Sequence, residues 1–417
     1  MPGFKKTARA AALATIAGIA AVPAAATEGY FALGYGPGQR ALGGAGVARG
    51  FEAMSVAVNP AGVAGVGDQM QVGLQLFSPH RGYTGTGTFF VPAASVNSEE
   101  NLFFIPNFAY NRRLSNGAVL NFAAYGNGGM NTTYRAVPAG CGFVFCAGNA
   151  GVDLMQLFIS ATYAQKMGAV SFGISPTIAV QRFEAVGLGA FGAVSSDPAN
   201  LTNNGYDMSY GIGLRAGVEV ELGPNFRVGV SGQTKMNMSE FSSYAGLFEG
   251  GGDFDIPATW TAGVAFDPSP DLTVMADFQR IYFSDVPAIG NATTIPLPFG
   301  APGAAGFGWD DVDVFKIGVE WRQNDKWTWR AGYAHASNPI GPEDVTLNIL
   351  APGIVQHHIS FGGTMNLNDS DSLDFSIGYV PENTVTGGEV TPGGPTPGMI
   401  ELNMHQFSAS IGWTRKF

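Results

Sequence analysis

Charge is scarce in this chain. Asp, Glu, Lys and Arg make up 13% of it, against about 25% in soluble proteins. Basic residues are the rarer sign, 21 against 32 acidic, which argues against a nucleic-acid partner. No run of about 18 apolar residues follows the N-terminal region, so a polytopic helical membrane protein is excluded. Cysteine is confined to Cys141 and Cys146, with no histidine nearby. Two thiolates alone do not complete a zinc site, and neither a metal nor a cofactor is expected. In an exported chain the same pair predicts a disulfide stapling one loop. What is abundant is glycine, 60 of 417 residues, with aromatics at 12%. Low charge, much glycine and many aromatics suit a β-barrel whose outer wall faces lipid.

Export is indicated by the first residues. Lys5, Lys6 and Arg9 precede an apolar stretch from Ala10 to Ala21, and Ala24-Ala25-Ala26 fits a cleavage site. Residues 1–26 therefore read as a signal peptide, with Thr27 as the first mature residue. Cleavage would leave 18 basic against 32 acidic residues, a net charge of −14.

Fourteen segments have strand character: 69–79, 101–114, 117–126, 154–167, 168–183, 206–222, 225–238, 256–266, 271–284, 311–322, 326–338, 354–367, 370–380 and 401–417. Each is long enough for a tilted crossing of about 9–11 residues. The C-terminal one is clearest: Phe407, Ala409, Ile411, Trp413 and Phe417 alternate with Ser408, Ser410, Thr414 and Lys416. Likewise Phe315, Ile317, Val319 and Trp321 alternate with Lys316, Gly318, Glu320 and Arg322. The apolar set is expected to face lipid and the polar set the lumen. Connectors alternate between tight turns, such as 115–116 and 368–369, and long ones: 80–100, 127–153, 184–205, 239–255, 285–310, 339–353 and 381–400. Short turns belong to the periplasm and long loops to the outside. The expected location is thus the bacterial outer membrane, with both termini periplasmic.

Before the first strand lies a segment rich in glycine and alanine. Its apolar residues Leu33, Leu42, Val47, Phe51, Met54, Val56 and Val58 argue for burial. The expected fold is all-β: a 14-stranded antiparallel transmembrane β-barrel (69–417) with an N-terminal plug (27–68) inside its lumen.

Several patches give the chain a family resemblance. The plug carries Gly43-Gly44-Ala45-Gly46-Val47-Ala48, then Ser55 to Val58, then Asn59-Pro60-Ala61. Further along come Ile256-Pro257-Ala258-Thr259, Trp329-Arg330-Ala331-Gly332-Tyr333 and the terminal Phe417. The chain resembles the FadL family of outer-membrane transporters of long-chain fatty acids and other hydrophobic compounds. The resemblance implies passive uptake: capture in an apolar groove among the outer loops, passage to a pocket in the lumen, and lateral exit through the wall. Exit is expected where an inward kink in strand three meets Asn59, Pro60 and Ala61. That kink maps to Tyr125-Gly126, with Gly126, Gly128 and Gly129 able to break the ladder. The resemblance makes long-chain fatty acids the first expectation; uptake of aromatic hydrocarbons or other lipids, or a general diffusion porin, are the alternatives.

Candidate groove residues are Phe143 and Phe145, Leu188 and Phe191, and Leu297 and Phe299; each either contacts ligand or packs the loops together. Arg182 and Arg330 are candidates for a carboxylate head group or, alternatively, for ion pairs that strengthen the wall. Gly187–Gly192 fits G-x-G-x-x-G but has no following helix, so a dinucleotide site is rejected. Asp310, Asp311 and Asp313 read as a solvated rim. Nothing orients Ser337 and His335 as nucleophile and base, and no enzyme activity is expected. Expected partners are the hydrophobic ligand, outer-membrane lipid and lipopolysaccharide, and the barrel-assembly machinery through Phe417, for a monomer.

Overall fold

The computed structural model describes residues 28–135, 149–391 and 394–417. The expected signal peptide, Cys141 with Cys146, and Phe143 with Phe145 lie outside the described residues. Fourteen long strands run in antiparallel order: β1 Gln69–Thr86, β2 Phe103–Arg113, β3 Val119–Tyr134, β4 Ala150–Met167, β5 Val170–Val186, β6 Asp207–Gly223, β7 Phe226–Gln233, β8 Thr259–Ser269, β9 Leu272–Ile281, β10 Val312–Arg322, β11 Trp327–Ala336, β12 His357–Asn366, β13 Asp371–Thr391 and β14 Gly394–Lys416. The sheet closes into a barrel because β14 pairs with β1 over eighteen positions, from Gln69↔Lys416 to Thr86↔Met399.

The alternation in the sequence becomes two faces. On β1, Val72, Leu74 and Leu76 are exposed while Gln71 and Gln75 are buried. On β10, Phe315, Ile317, Val319 and Trp321 are exposed while Lys316 and Glu320 are buried. A water-soluble sandwich would carry its apolar set inward. Here it points outward all round, which is stable only where lipid replaces water.

Two connectors differ from the sequence expectation. Residues 381–400 are not a loop: β13 and β14 continue as a hairpin, and β1 extends beside them to Thr86. The prolines had masked this. Pro381 falls in the register shift between Val380 and Asn383, where no ladder bond is lost. Strand three does not end at Gly126 but runs to Tyr134, with a register shift against β4 between Gly126 and Gly128.

Residues 28–68 lie against the inward face of the wall. A short helix, α1 (Pro37–Ala41), and two 3-10 turns, Ala53–Ala57 and Pro60–Gly65, are almost wholly buried. Their backbone groups are satisfied by wall side chains, as burial requires. Gly46 and Val47 N–H donate to Asp277 Oδ2 of β9 (2.7 and 2.9 Å). Met54 N–H donates to Gln71 of β1 (3.0 Å), and Asn121 of β3 donates to Ala53 C=O (3.0 Å). Two buried ion pairs add charge: Lys316–Glu28 (2.7 Å) and Arg49–Glu320 (2.8 Å). Burial pushes the Glu28 carboxyl upward, opposed by the Lys316 charge.

Candidate functional site

The wall is interrupted between β2 and β3. These strands pair only from Arg113↔Val119 to Asn107↔Tyr125. Beyond Tyr125, β3 leaves β2 and turns to the N-terminal segment instead. Ala32 N–H donates to Asn127 C=O (2.9 Å), and Gly129 N–H donates to Tyr30 C=O (3.0 Å). Gly128 makes this possible, since a Cβ there would lie 1.9 Å from Tyr30 O. The Phe103–Pro106 stretch of β2 stays paired to β1 alone. Higher up the gap closes again. Arg81 donates from Nε to Asn131 C=O (2.7 Å) and from Nη2 to Asn131 Oδ1 (2.9 Å), and Glu99 N–H donates to Thr133 C=O (2.9 Å). The window is lined by Phe77, Phe103, Met130, Trp309 and Met404 among others.

Asn59-Pro60-Ala61 is elsewhere. Asn59 caps the second 3-10 turn by accepting from Ala61 N–H (3.0 Å), and donates to Val47 C=O (2.7 Å) and Val218 C=O of β6 (3.3 Å). It fits because Gly217 has no side chain: a Cβ there would lie 2.0 Å from Asn59 Oδ1. Pro60 packs in the same way on Gly173 of β5. The expected meeting of Asn59–Ala61 with Gly126 and Gly128 is therefore corrected. The kink meets Tyr30–Ala32, and the Asn-Pro-Ala turn seats the segment on β5 and β6. Tyr30 and Phe31 went unnoticed in the sequence, where an aromatic pair just past the cleavage motif was the available signal. Both rings pack on Phe283 (5.0 and 5.7 Å between centroids), and Tyr30 also faces Trp309 (6.0 Å).

Among the long loops lies a small cavity lined almost entirely by apolar side chains, including Leu188, Phe191, Phe248, Phe299, Phe307 and Leu350. Three candidates meet here, with the Phe191 and Phe299 rings 5.2 Å apart, edge to face. Leu297 is 47% exposed and does not line the cavity.

The cations resolve into pairs. Arg330 donates to Glu320 (2.7 Å) and Thr364 (2.6 Å) and sits over the Phe51 ring (4.8 Å). Arg182 pairs with Asp153 (3.1 Å) and stacks on Tyr206 (3.9 Å). Both fit the reading as wall-strengthening pairs. Asp311 and Asp313 likewise pair with Arg280 (3.2 and 3.3 Å). Glu52, beside α1, is bonded by Gln71 (2.5 Å) and pushed up to about 7, first by burial and then by Asp374, against the pull of Arg330.

No curated protein matches the chain. Among solved structures, the *P. putida* toluene transporter TodX superposes with a TM-score of 0.69 at 18% identity, over 92% of this chain and 99% of that one. A *Pseudomonas aeruginosa* FadL homologue gives 0.69 at 14% identity, over 93% and 100%. The *Ralstonia pickettii* toluene transporter TbuX gives 0.63 at 19%, over 92% and 99%. These likenesses establish the barrel. The family model described as outer membrane protein transport protein (OMPP1/FadL/TodX) matches residues 13–411, and the chain belongs to that family of outer-membrane transporters.

Proposed function

We propose that the protein takes up hydrophobic molecules passively, with the loop cavity as the point of capture, residues 28–68 as a plug, and the β2–β3 window as the exit into the bilayer. The long loops then face outside, and both termini face the periplasm. The observation that carries this reading is the departure of β3 from β2 at Tyr125, which leaves the wall filled there by apolar side chains and not by backbone pairing. A hydrophobic solute gains ~0.8 kcal/mol for each methylene it buries. An aqueous pore offers no path along which that gain is kept, whereas an apolar cavity and a sideways exit into lipid do. Long-chain fatty acids and small aromatic hydrocarbons are both compatible with these cavities; TodX and TbuX are toluene transporters.

The test is Gly128→Val, which forces β3 away from Tyr30. Uptake of a labelled long-chain acid or of toluene should fall at least about tenfold, equivalent to about 1.4 kcal/mol, with the heat-modifiable folded band unchanged. Normal uptake of both by the folded variant would refute the window. Rapid, unselective sugar flux through the parent protein in liposomes would instead make it a diffusion porin.

A further inference from the structure

We infer that two loop segments, 307–309 and 348–353, form a gate between the loop cavity and the β2–β3 window, and that Asn348, Thr132 and Tyr134 hold it shut. This deepens the transport reading above and rests on it for the direction of traffic, though not for the existence of the partition.

No residue lines both spaces, yet along the chain they are neighbours. Leu350 lines the loop cavity, while Ala351, Pro352 and Gly353 line the window. In the same way Phe307 lines the loop cavity and Trp309 the window. Capture and exit are therefore separated by a partition of two chain segments, and neither segment belongs to a strand of the barrel. The two close on each other: the Trp309 indole lies against Gly353, where a Cβ would stand 2.8 Å from it.

The partition is buried, and buried backbone groups must find partners. Side chains supply several of them. Asn348, fully buried, ties the two segments together: it accepts from Trp309 Nε1 (2.7 Å) and donates to Phe307 C=O (2.7 Å). β3 holds the second segment from the wall. Thr132 Oγ1 donates to Leu350 C=O (2.8 Å), and the Tyr134 hydroxyl donates to Ile349 C=O (2.7 Å). These are single side-chain bonds, so the partition can be released without breaking a strand ladder. Thr132 and Tyr134 stand on the stretch of β3 beyond Tyr125, which has left β2. A shift of that stretch moves the window and the partition together. Trp309 completes the link: its ring faces Tyr30 (6.0 Å between centroids), and Tyr30 C=O accepts from Gly129 N–H of β3. Gate, N-terminal segment and kink thus meet around one indole. An apolar solute in the loop cavity rests on Leu350 and Phe307, and parting these segments admits it to the window.

The experiment uses the full chain carrying Thr132→Val and Tyr134→Phe, which removes both β3 tethers and keeps the side-chain shapes. The first readout is the partition itself. Ala351, 3% exposed, is replaced by cysteine, with Cys141 and Cys146 changed to serine, and maleimide labelling is timed in detergent. The double variant should label at least about fivefold faster than the parent background, the ratio set by one net hydrogen bond. The second readout is uptake of toluene or a labelled long-chain acid into proteoliposomes. The maximal rate should rise by a similar factor while the half-saturation concentration stays unchanged, because the loop cavity is untouched. A merely structural role would slow uptake and lower the yield of folded barrel. Asn348→Ala cuts the tie between the segments and should act in the same direction; it carries the test should the double variant fail to fold. Unchanged labelling in the folded variants, or faster labelling with an unchanged maximal rate, would overturn the gate. Absence of saturable uptake by the parent would sink the transport reading, while the labelling rates would still decide whether these bonds hold the partition, so the two fail separately.

Discussion

Two seams of the barrel can be set side by side. Where β14 meets β1, eighteen residue pairs run unbroken; where β2 meets β3, only seven form, from Asn107↔Tyr125 to Arg113↔Val119. The flanking sequences are alike in kind. Val72, Leu74 and Leu76 alternate outward on β1 as Leu120 and Phe122 do on β3, with amide side chains inward in both. The difference is therefore not one of strand propensity. β3 is offered a second partner: Tyr30–Ala32 bids for the same backbone groups that β2 would take, and Gly128 removes the Cβ that would forbid it. The open seam results from a competition between two partners for one edge of β3, and the loser is the Phe103–Pro106 stretch of β2.

Weakening the winning partner should have the largest effect on the open seam. Lys316→Ala leaves Glu28 buried without its counter-ion (2.7 Å in the parent), and removing one member of a buried pair costs about 3–5 kcal/mol. Glu28 stands four residues before Ala32, so the N-terminal segment should lose its hold on β3. The readout is maleimide labelling of Ala32→Cys with Cys141 and Cys146 replaced by serine. Ala32 is 9% exposed and should be protected in the parent background and labelled in the Lys316→Ala variant. Equal protection in both would mean that the strand contacts, and not the ion pair, hold the segment.

How much of this was legible beforehand depends on which force fixes each part. The fourteen strands were readable because lipid on one side and a filled lumen on the other impose a period of two on every crossing. The β13–β14 hairpin was not, because Pro381, Pro392 and the glycines around them look like loop residues until the register shift is seen. Leu188, Phe191 and Phe299 were found as apolar residues in the long loops, the signal that a loop cavity leaves. Gly126 and Gly128 were reached through the family resemblance, which implies a kink at the end of strand three. Their partner was misassigned to Asn59–Ala61, because a contact between residues about a hundred positions apart leaves no local pattern.

A smaller effect is expected at the base of the short seam. Asn121 donates to Ala53 C=O (3.0 Å) and to Asn111 Oδ1 (3.2 Å), fully buried. Asn121→Ala removes both bonds and leaves buried acceptors unmet, a loss of about 1–3 kcal/mol. Because Asn111↔Asn121 lies within the seven remaining pairs, the loss should surface as faster amide exchange across Asn107–Arg113, with the β1–β14 amides unchanged. Equal acceleration at both seams would mean that the barrel opens as one unit and that the β2–β3 seam has no separate stability.

The smallest effect belongs in the β13–β14 hairpin, next to the long seam. Gly388 of β13 lies opposite Met399 of β14, close to the tip of the hairpin, and a Cβ there would meet nothing within 4 Å. Gly388→Ala should therefore change stability by no more than about 0.5 kcal/mol and leave uptake unaltered. Gly128 and Gly388 both stand in strands at a register shift, so the pair isolates the cause of the open seam. If glycine mattered there only as a flexible residue, both substitutions would have similar effects. If it matters because Tyr30 must come within reach of β3, only Gly128 is sensitive. An uptake defect in Gly388→Ala comparable to that of Gly128→Val would replace the competition account with one in which strand flexibility, wherever it lies, governs exit.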